Sequence, residues 1–218
     1  MDSEIRGLIL DVDGTLWDAL EAITDSWNRY TEALDDVTGR ITYEQMAGCL
    51  GKTMYTIADI LFGYLPEARR REVLRGAMLY ENEYLWTTPG RIYPGVRDTL
   101  EALRSDGWHL YIVSNCQKGY IETFLHAADA EGLIEDYICF EDTMQEKAEN
   151  IRLCCERNHL DRAVYVGDTA GDLEASRSAG IPFVYAAYGF GSVKESEADG
   201  VIGQFAQLGD VLAAMGGK

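Results

Sequence analysis

The chain has 218 residues, 47% of them hydrophobic, and its 19 Lys and Arg against 37 Asp and Glu leave a net charge of −18. So much apolar content excludes disorder, and the length suits one domain carrying an insertion, or two small ones. The negative charge repels a phosphate polyanion and excludes nucleic acid as a partner, since the longest basic run is Arg69-Arg70-Arg71.

No apolar stretch approaches the roughly 18 residues of a membrane span. The N-terminus, MDSEIRGLILDVDGT, carries acids where a secretory leader carries a basic segment. Cys49, Cys116, Cys139, Cys154 and Cys155 are odd in number and follow no CxxC spacing, a poor disulfide framework. These features predict a cytoplasmic protein with reduced thiols and no membrane association.

In chain order, the first apolar run, Leu8-Ile9-Leu10, reads as a buried strand. It ends in Asp11-Val12-Asp13-Gly14-Thr15, two carboxylates at a spacing of two, which alone also fits an Asp-Gly turn. The stretch 16–88 is far longer than a βα connection and reads mostly as helix. Leu20, Ile23, Trp27, Tyr30 and Leu34 recur at three and four, as do Val73 or Leu74, Ala77 or Met78, and Tyr84 or Leu85. A helical domain over 16–88 is expected, closed by the turn punctuation Thr88-Pro89-Gly90 and Tyr93-Pro94-Gly95. Further strands are expected at Leu110–Val113, Tyr137–Phe140, Ala163–Val166 and Phe183–Ala186, with a weaker one at Val201-Ile202. They alternate with helices near 96–105, 119–126, 146–158, 169–179 and 205–215. That alternation predicts an α/β class, a Rossmann-like parallel sheet core over 1–15 and 89–218 with an inserted helical cap.

Ligands of open parallel sheets bind beyond the carboxyl ends of the strands. At one such end Val166-Gly167 leads into Asp168-Thr169-Ala170-Gly171-Asp172, and a helix beginning there puts both acids on one side of its first turn. With Asp11 and Asp13 this gathers four carboxylates, which repel one another and raise some pKa values unless a cation shares them. A hard divalent ion with oxygen ligands, Mg²⁺ above all, resolves that cost. Ser114-Asn115-Cys116 follows the second strand, and Lys147 follows the third. In isolation the first is a helix cap and the second a solvated lysine. Together, acids with a metal, a hydroxyl donor and one cation are what an in-line phosphoryl transfer requires.

These motifs, in this order and at these strand ends, resemble the haloacid dehalogenase superfamily of phosphohydrolases. DVDGT is similar to its first motif, Ser114 to its second, Lys147 of EKAENI to its third and GDTAGD to its fourth. The resemblance implies that Asp11 is the nucleophile, forming an aspartyl-phosphate, and Asp13 the general acid and base. It implies Mg²⁺ bound by Asp11, Asp168 and the Asp13 carbonyl, with Asp172 orienting metal-bound water or Lys147. Ser114, Lys147, Asn115 and the N–H groups of the Asp13–Gly14 turn would hold the phosphoryl oxygens, and Thr15 would hydrogen-bond near Asp13. An acid at position 13 speaks against halide displacement, which needs no leaving-group acid.

The insertion is similar to caps that close over the site and contribute a glycine-containing specificity loop. Its counterpart here is MAGCLGKTMYTI, where Lys52 is a candidate for a substrate carboxylate or second phosphate. The cap aromatics Trp17, Trp27, Tyr30, Tyr55 and Tyr84 read mainly as packing, with Trp17 the candidate exception, and Cys116 stands beside the site. The substrate implied is a small phosphorylated metabolite, a phosphomonoester as in the phosphoglycolate phosphatase-like branch, handled by a monomer or homodimer. The nearest alternative is a beta-phosphoglucomutase-type phosphomutase. Its cap histidine has no counterpart, since His109, His126 and His159 all lie outside 16–88. A phosphonate hydrolase using Lys52 as a Schiff base, a pyrophosphatase or nucleotidase, and a non-catalytic binding scaffold are the others. The scaffold is disfavoured because every chemical position is filled. No GxGxxG follows the first strand, so a dinucleotide binder is excluded, and Gly189-Phe190-Gly191 reads as a late loop.

Overall fold

The computed structural model describes residues 6–216; Asp2 and Glu4, the acids weighed against a leader, lie outside the described residues. The chain opens with β1 (Arg6–Leu10) and the two-residue β2 (Trp17–Asp18), then runs through α1 (Leu20–Thr31), α2 (Tyr43–Ala47), α3 (Met54–Leu61) and α4 (Glu67–Thr87) to the two-residue β3 (Arg91–Ile92). It continues as α5 (Val96–Ser105), β4 (Trp108–Ser114), α6 (Tyr120–Ala127), β5 (Asp136–Cys139), α7 (Phe140–Thr143) and α8 (Lys147–Arg157). Last come β6 (Arg162–Gly167), α9 (Ala170–Ala179), β7 (Phe183–Ala186), β8 (Gly200–Ile202) and α10 (Leu208–Gly216).

Six strands form one parallel sheet in the order β5-β4-β1-β6-β7-β8. The α/β parallel core read from the sequence is therefore the observed class. Its strands are continuous apolar runs because crossover helices cover both faces. Side chains alternate across the sheet with period two. Leu8, Leu10, Leu110, Ile112, Val164 and Val166 pack on one face, while Ile9, Tyr111, Val113, Tyr165 and Phe183 pack on the other. The chain moves outward from β1 through β4 to β5, then crosses back to β6 on the other side of β1. The β1 and β6 ends thus flank the point where strand order reverses, the crevice that such sheets use for ligands.

One strand ends earlier than expected. Phe140 opens α7 instead of closing β5, because the Asp142 carboxylate accepts the Cys139 N–H at 3.0 Å and turns the chain there. The pair β2 and β3 was not foreseen, since two residues are too few to show a period. They run antiparallel, Trp17 opposite Ile92 and Asp18 opposite Arg91, where the chain leaves for the insertion and returns.

Within the insertion α1 packs on α4, as do the shorter α2 on α1 and α3 on α4. The apolar face of α1 buries Leu20, Ile23 and Trp27, and Trp27 stacks on Phe62 with centroids 5.9 Å apart. Leu34 falls beyond the end of α1. Gly76, which costs α4 about 1 kcal/mol of helix propensity, stands where Tyr30 of α1 occupies the space of a Cβ. The basic run 69–71 is neutralised locally: Arg69 pairs with Asp36 at 2.7 Å, and Arg70 and Arg71 pair with Asp59. All five cysteines are free, and no helix among the described residues is long and apolar enough to cross a membrane.

Candidate active site

The β1 ladder carries through to Asp11, whose N–H donates to the Val166 carbonyl at 2.9 Å, so the first acid stands beside the end of β6. There Thr169 caps α9. Its hydroxyl accepts the Asp172 N–H at 3.2 Å, and Asp172 Oδ2 accepts both the Thr169 N–H at 2.9 Å and the Thr169 hydroxyl at 2.6 Å. This reciprocal capping box fixes Asp172 at the start of the helix. Lys147, the first residue of α8, is buried between the two acids, its Nζ 2.6 Å from Asp172 Oδ1 and 3.2 Å from Asp11 Oδ2. Burial alone would lower the lysine's pKa, but Asp11 and Asp172 hold it well above the ordinary value, so it stays charged.

The acids divide by what they are offered. Burial raises Asp172 in the first instance, yet Lys147 and Thr169 together hold it below the usual carboxylate range. Burial pushes Asp11 up to about 6, against the pull of Lys147 and Ser114. It pushes Asp168 up to about 7, although Asp168 Oδ2 accepts the Phe190 and Gly191 N–H groups at 2.7 and 3.0 Å. Asp11 Oδ1 and Asp168 Oδ1 are buried with no hydrogen-bond partner. Carboxylate oxygens of Asp11, Asp168 and Asp172 lie within 4.8 Å of one another. Orphaned, proton-seeking oxygens at this spacing suit a hard divalent cation, whose charge would return both groups to the ionised form.

Asp13 is half-buried and faces the cavity, and burial pushes its carboxyl up to about 7. The Tyr120 hydroxyl donates to its Oδ1 at 2.6 Å. Ser114 closes β4 and is buried, and Asn115 reaches into the insertion, its Nδ2 donating to the Gly51 carbonyl at 2.9 Å. Asp11, Asp13, Ser114, Asn115 and Lys147 line one cavity, together with Lys52 and other residues of the insertion.

Several sequence expectations need correction. The Gly14 N–H donates to the Trp17 carbonyl at 2.9 Å, so it is engaged in the turn, and Gly14 serves instead as a close approach, since a Cβ there would overlap Asp168. The Thr15 hydroxyl is buried without a partner and makes no bond near Asp13. Trp17 is fully buried, edge-on to Tyr120 and Phe124 at 5.5 Å, and it is Trp27 that lines the cavity. The expectation for Lys52 is not among them: the lysine lines the cavity from an exposed position, with one ammonium N–H donated to the Gly48 carbonyl at 2.9 Å. Burial holds the Cys116 thiol well above its ordinary pKa, which removes the thiolate character a reactive cysteine needs.

A sequence model of the haloacid dehalogenase-like hydrolases matches residues 8–186. The chain belongs to this family. Among its curated relatives are phosphoglycolate phosphatases of Nitrosospira multiformis, 28% identical over 209 residues and 91% of each chain, and of Mesorhizobium japonicum, 29% identical over 224 residues and 94% of each chain. Among solved structures, a predicted phosphoglycolate phosphatase from Haemophilus somnus shares the fold with a TM-score of 0.85 at 20% identity, over 97% of this chain and 100% of its own.

Two features of this haloacid dehalogenase-like hydrolase escaped the sequence reading. Gly189 and Gly191 bracket the loop that wraps Asp168; a Cβ on either would overlap that residue, so the Gly-Phe-Gly spacing was the available signal. Glu81, buried in α4, lines the same cavity, and nothing in the pattern of that helix distinguished it from a solvated acid.

Proposed function

We propose that the chain is a Mg²⁺-dependent phosphatase that hydrolyses a small phosphomonoester through an aspartyl-phosphate on Asp11, the insertion 16–88 acting as a cap over the core 1–15 and 89–218. The observation that carries this reading is the state of Asp11: buried, one oxygen on the Lys147 ammonium and the other without a partner. The phosphoglycolate phosphatases among the relatives add support for the substrate class.

In the first step an Asp11 carboxylate oxygen attacks phosphorus and the ester P–O bond breaks. Asp13, held up at about 7, delivers its proton to the departing alkoxide. It then takes a proton from water as that water attacks phosphorus, the Asp11–phosphorus linkage breaks, and inorganic phosphate leaves with the Asp11 carboxylate restored. Lys147 and the Ser114 hydroxyl balance charge on the phosphoryl oxygens, with the backbone at Asn115 beside them. Asp11, Asp168 and the Asp13 carbonyl would hold Mg²⁺, with Asp172, both of whose oxygens are engaged by Lys147 and Thr169, fixing the lysine. A bound Mg²⁺ supplies further positive charge to the transferring phosphoryl group. The insertion excludes water from the reacting ester, with Asn115–Gly51 one of the contacts that close it.

Phosphate release from a panel of small phosphomonoesters, with Mg²⁺ or EDTA, tests this for wild type and Asp11→Asn. The expected result is activity only in wild type with Mg²⁺. Release at the wild-type rate by Asp11→Asn would overturn the mechanism.

A further inference from the structure

The cavity that reaches Asp11 and Asp13 is small, about 50 Å³, room for a few water-sized groups. Its far wall comes from the insertion and is largely apolar, with Ile23, Trp27, Met54 and Ile57; the charged residues the insertion adds are the exposed Lys52 and the buried Glu81. Glu81 is 2% exposed, its Oε1 accepting the Gln117 side-chain N–H at 2.9 Å and its Oε2 the Trp27 indole N–H. Gln117 is itself fixed by a second bond, to Asn82 Oδ1 at 3.0 Å. Each carboxylate oxygen retains a second lone pair, so Glu81 can still accept. Of the two cationic residues that line the cavity, Lys147 is compensated by Asp11 and Asp172, while Lys52 is solvent-exposed and gives one of its N–H groups to the Gly48 carbonyl. A carboxylate that reaches Glu81 meets a buried like charge there, whereas a hydrogen-bond donor meets an acceptor.

Resting on the phosphatase reading above, we propose that Glu81 determines specificity at the leaving-group end. It selects a short leaving group that ends in a hydrogen-bond donor, an ammonium or a hydroxyl, and rejects one that ends in a carboxylate. The chain thereby departs from the substrate for which its relatives are named. Burial holds the Glu81 carboxyl up at about 7, so the selection is strongest on the alkaline side, where the group is ionised.

The test uses four esters that differ only at the terminus: phosphoethanolamine, 2-hydroxyethyl phosphate, ethyl phosphate and phosphoglycolate, at about pH 8. Wild type is expected to show kcat/KM at least roughly ten-fold higher for the first two than for phosphoglycolate, the size of one charged hydrogen bond. The order between ammonium and hydroxyl names the donor. Glu81→Gln is expected to close that gap by about ten-fold, through a loss on the donors and a gain on the carboxylate. Binding without turnover supplies a readout that does not depend on the Glu81 variant folding: in Asp11→Asn with Mg²⁺, the donor-bearing esters are expected to raise Tm most. Phosphoglycolate as the best substrate and tightest ligand, an equal effect of Glu81→Gln on all four esters, or no binding of any, would each overturn the subsite. Binding in the expected order without hydrolysis by wild type would instead support the subsite while overturning the phosphatase reading.

Discussion

The sheet edge and the insertion wall one cavity in opposite ways. At the sheet edge, Asp11 and Asp172 share Lys147 while Asp13 and Asp168 stand nearby, and one oxygen each of Asp11 and Asp168 is left without a partner. Across the cavity the insertion offers one acid, Glu81, with both oxygens held by Gln117 and Trp27 in an apolar surround. The first arrangement is electrostatically incomplete and suits a cation. The second has a partner on each oxygen without a ligand. On the readings proposed above, reaction chemistry belongs to groups at strand ends, and selection to a helix that no sheet register fixes.

The largest expected contrast is in catalysis. Asp11→Asn should lower kcat by at least about a thousand-fold, whereas Glu81→Gln should redistribute kcat/KM among esters without abolishing turnover; steady-state kinetics on both variants decides it. Next comes stability. Lys147→Met strips the buried ammonium from Asp11 and Asp172 and is expected to cost about 3–5 kcal/mol in urea unfolding. Lys52→Met, at an exposed lysine bonded to a backbone carbonyl, should cost within about 0.5 kcal/mol.

A third contrast lies in pH. The Glu81 carboxyl is raised from 4.5 unfolded to about 7 folded, so the folded state binds more protons between these values and its stability falls as pH rises through them. Relative to Glu81→Gln, wild type should therefore lose stability from pH 4.5 to about 7 and run parallel above that, as denaturant midpoints measured across the range will show. The smallest effect concerns Asp13. The Tyr120 hydroxyl favours its carboxylate, so Tyr120→Phe should raise the Asp13 pKa and move the alkaline limb of the rate profile upward by less than about one pH unit. A downward shift would show that Tyr120 does not act on the ionised form.

The sheet edge was legible because of how the strands end. Buried parallel strands are unbroken apolar runs, so acids at their ends stand out, and Thr169 with Asp172 advertises the helix start that holds the second pair. What escaped depends on contacts between distant segments. The Gly189–Gly191 loop meets Asp168 only because β7 lies beside β6. The Gly14 N–H is the local exception, taken by Trp17 where the chain doubles back. Trp27 lines the cavity from α1, which packs on α4, whereas Trp17 lies in β2 against Tyr120 and Phe124. Glu81 looks like any helical acid until Gln117 is placed against it.

Acid-quenching wild type during turnover with Mg²⁺ and mapping the phosphorylated peptide by mass spectrometry tests the central claim most directly. The expected result is a hydroxylamine-labile phosphoryl group on Asp11, absent from Asp11→Asn. A quenched enzyme that turns over but carries no phosphoryl group, or carries it on another residue, would contradict the account.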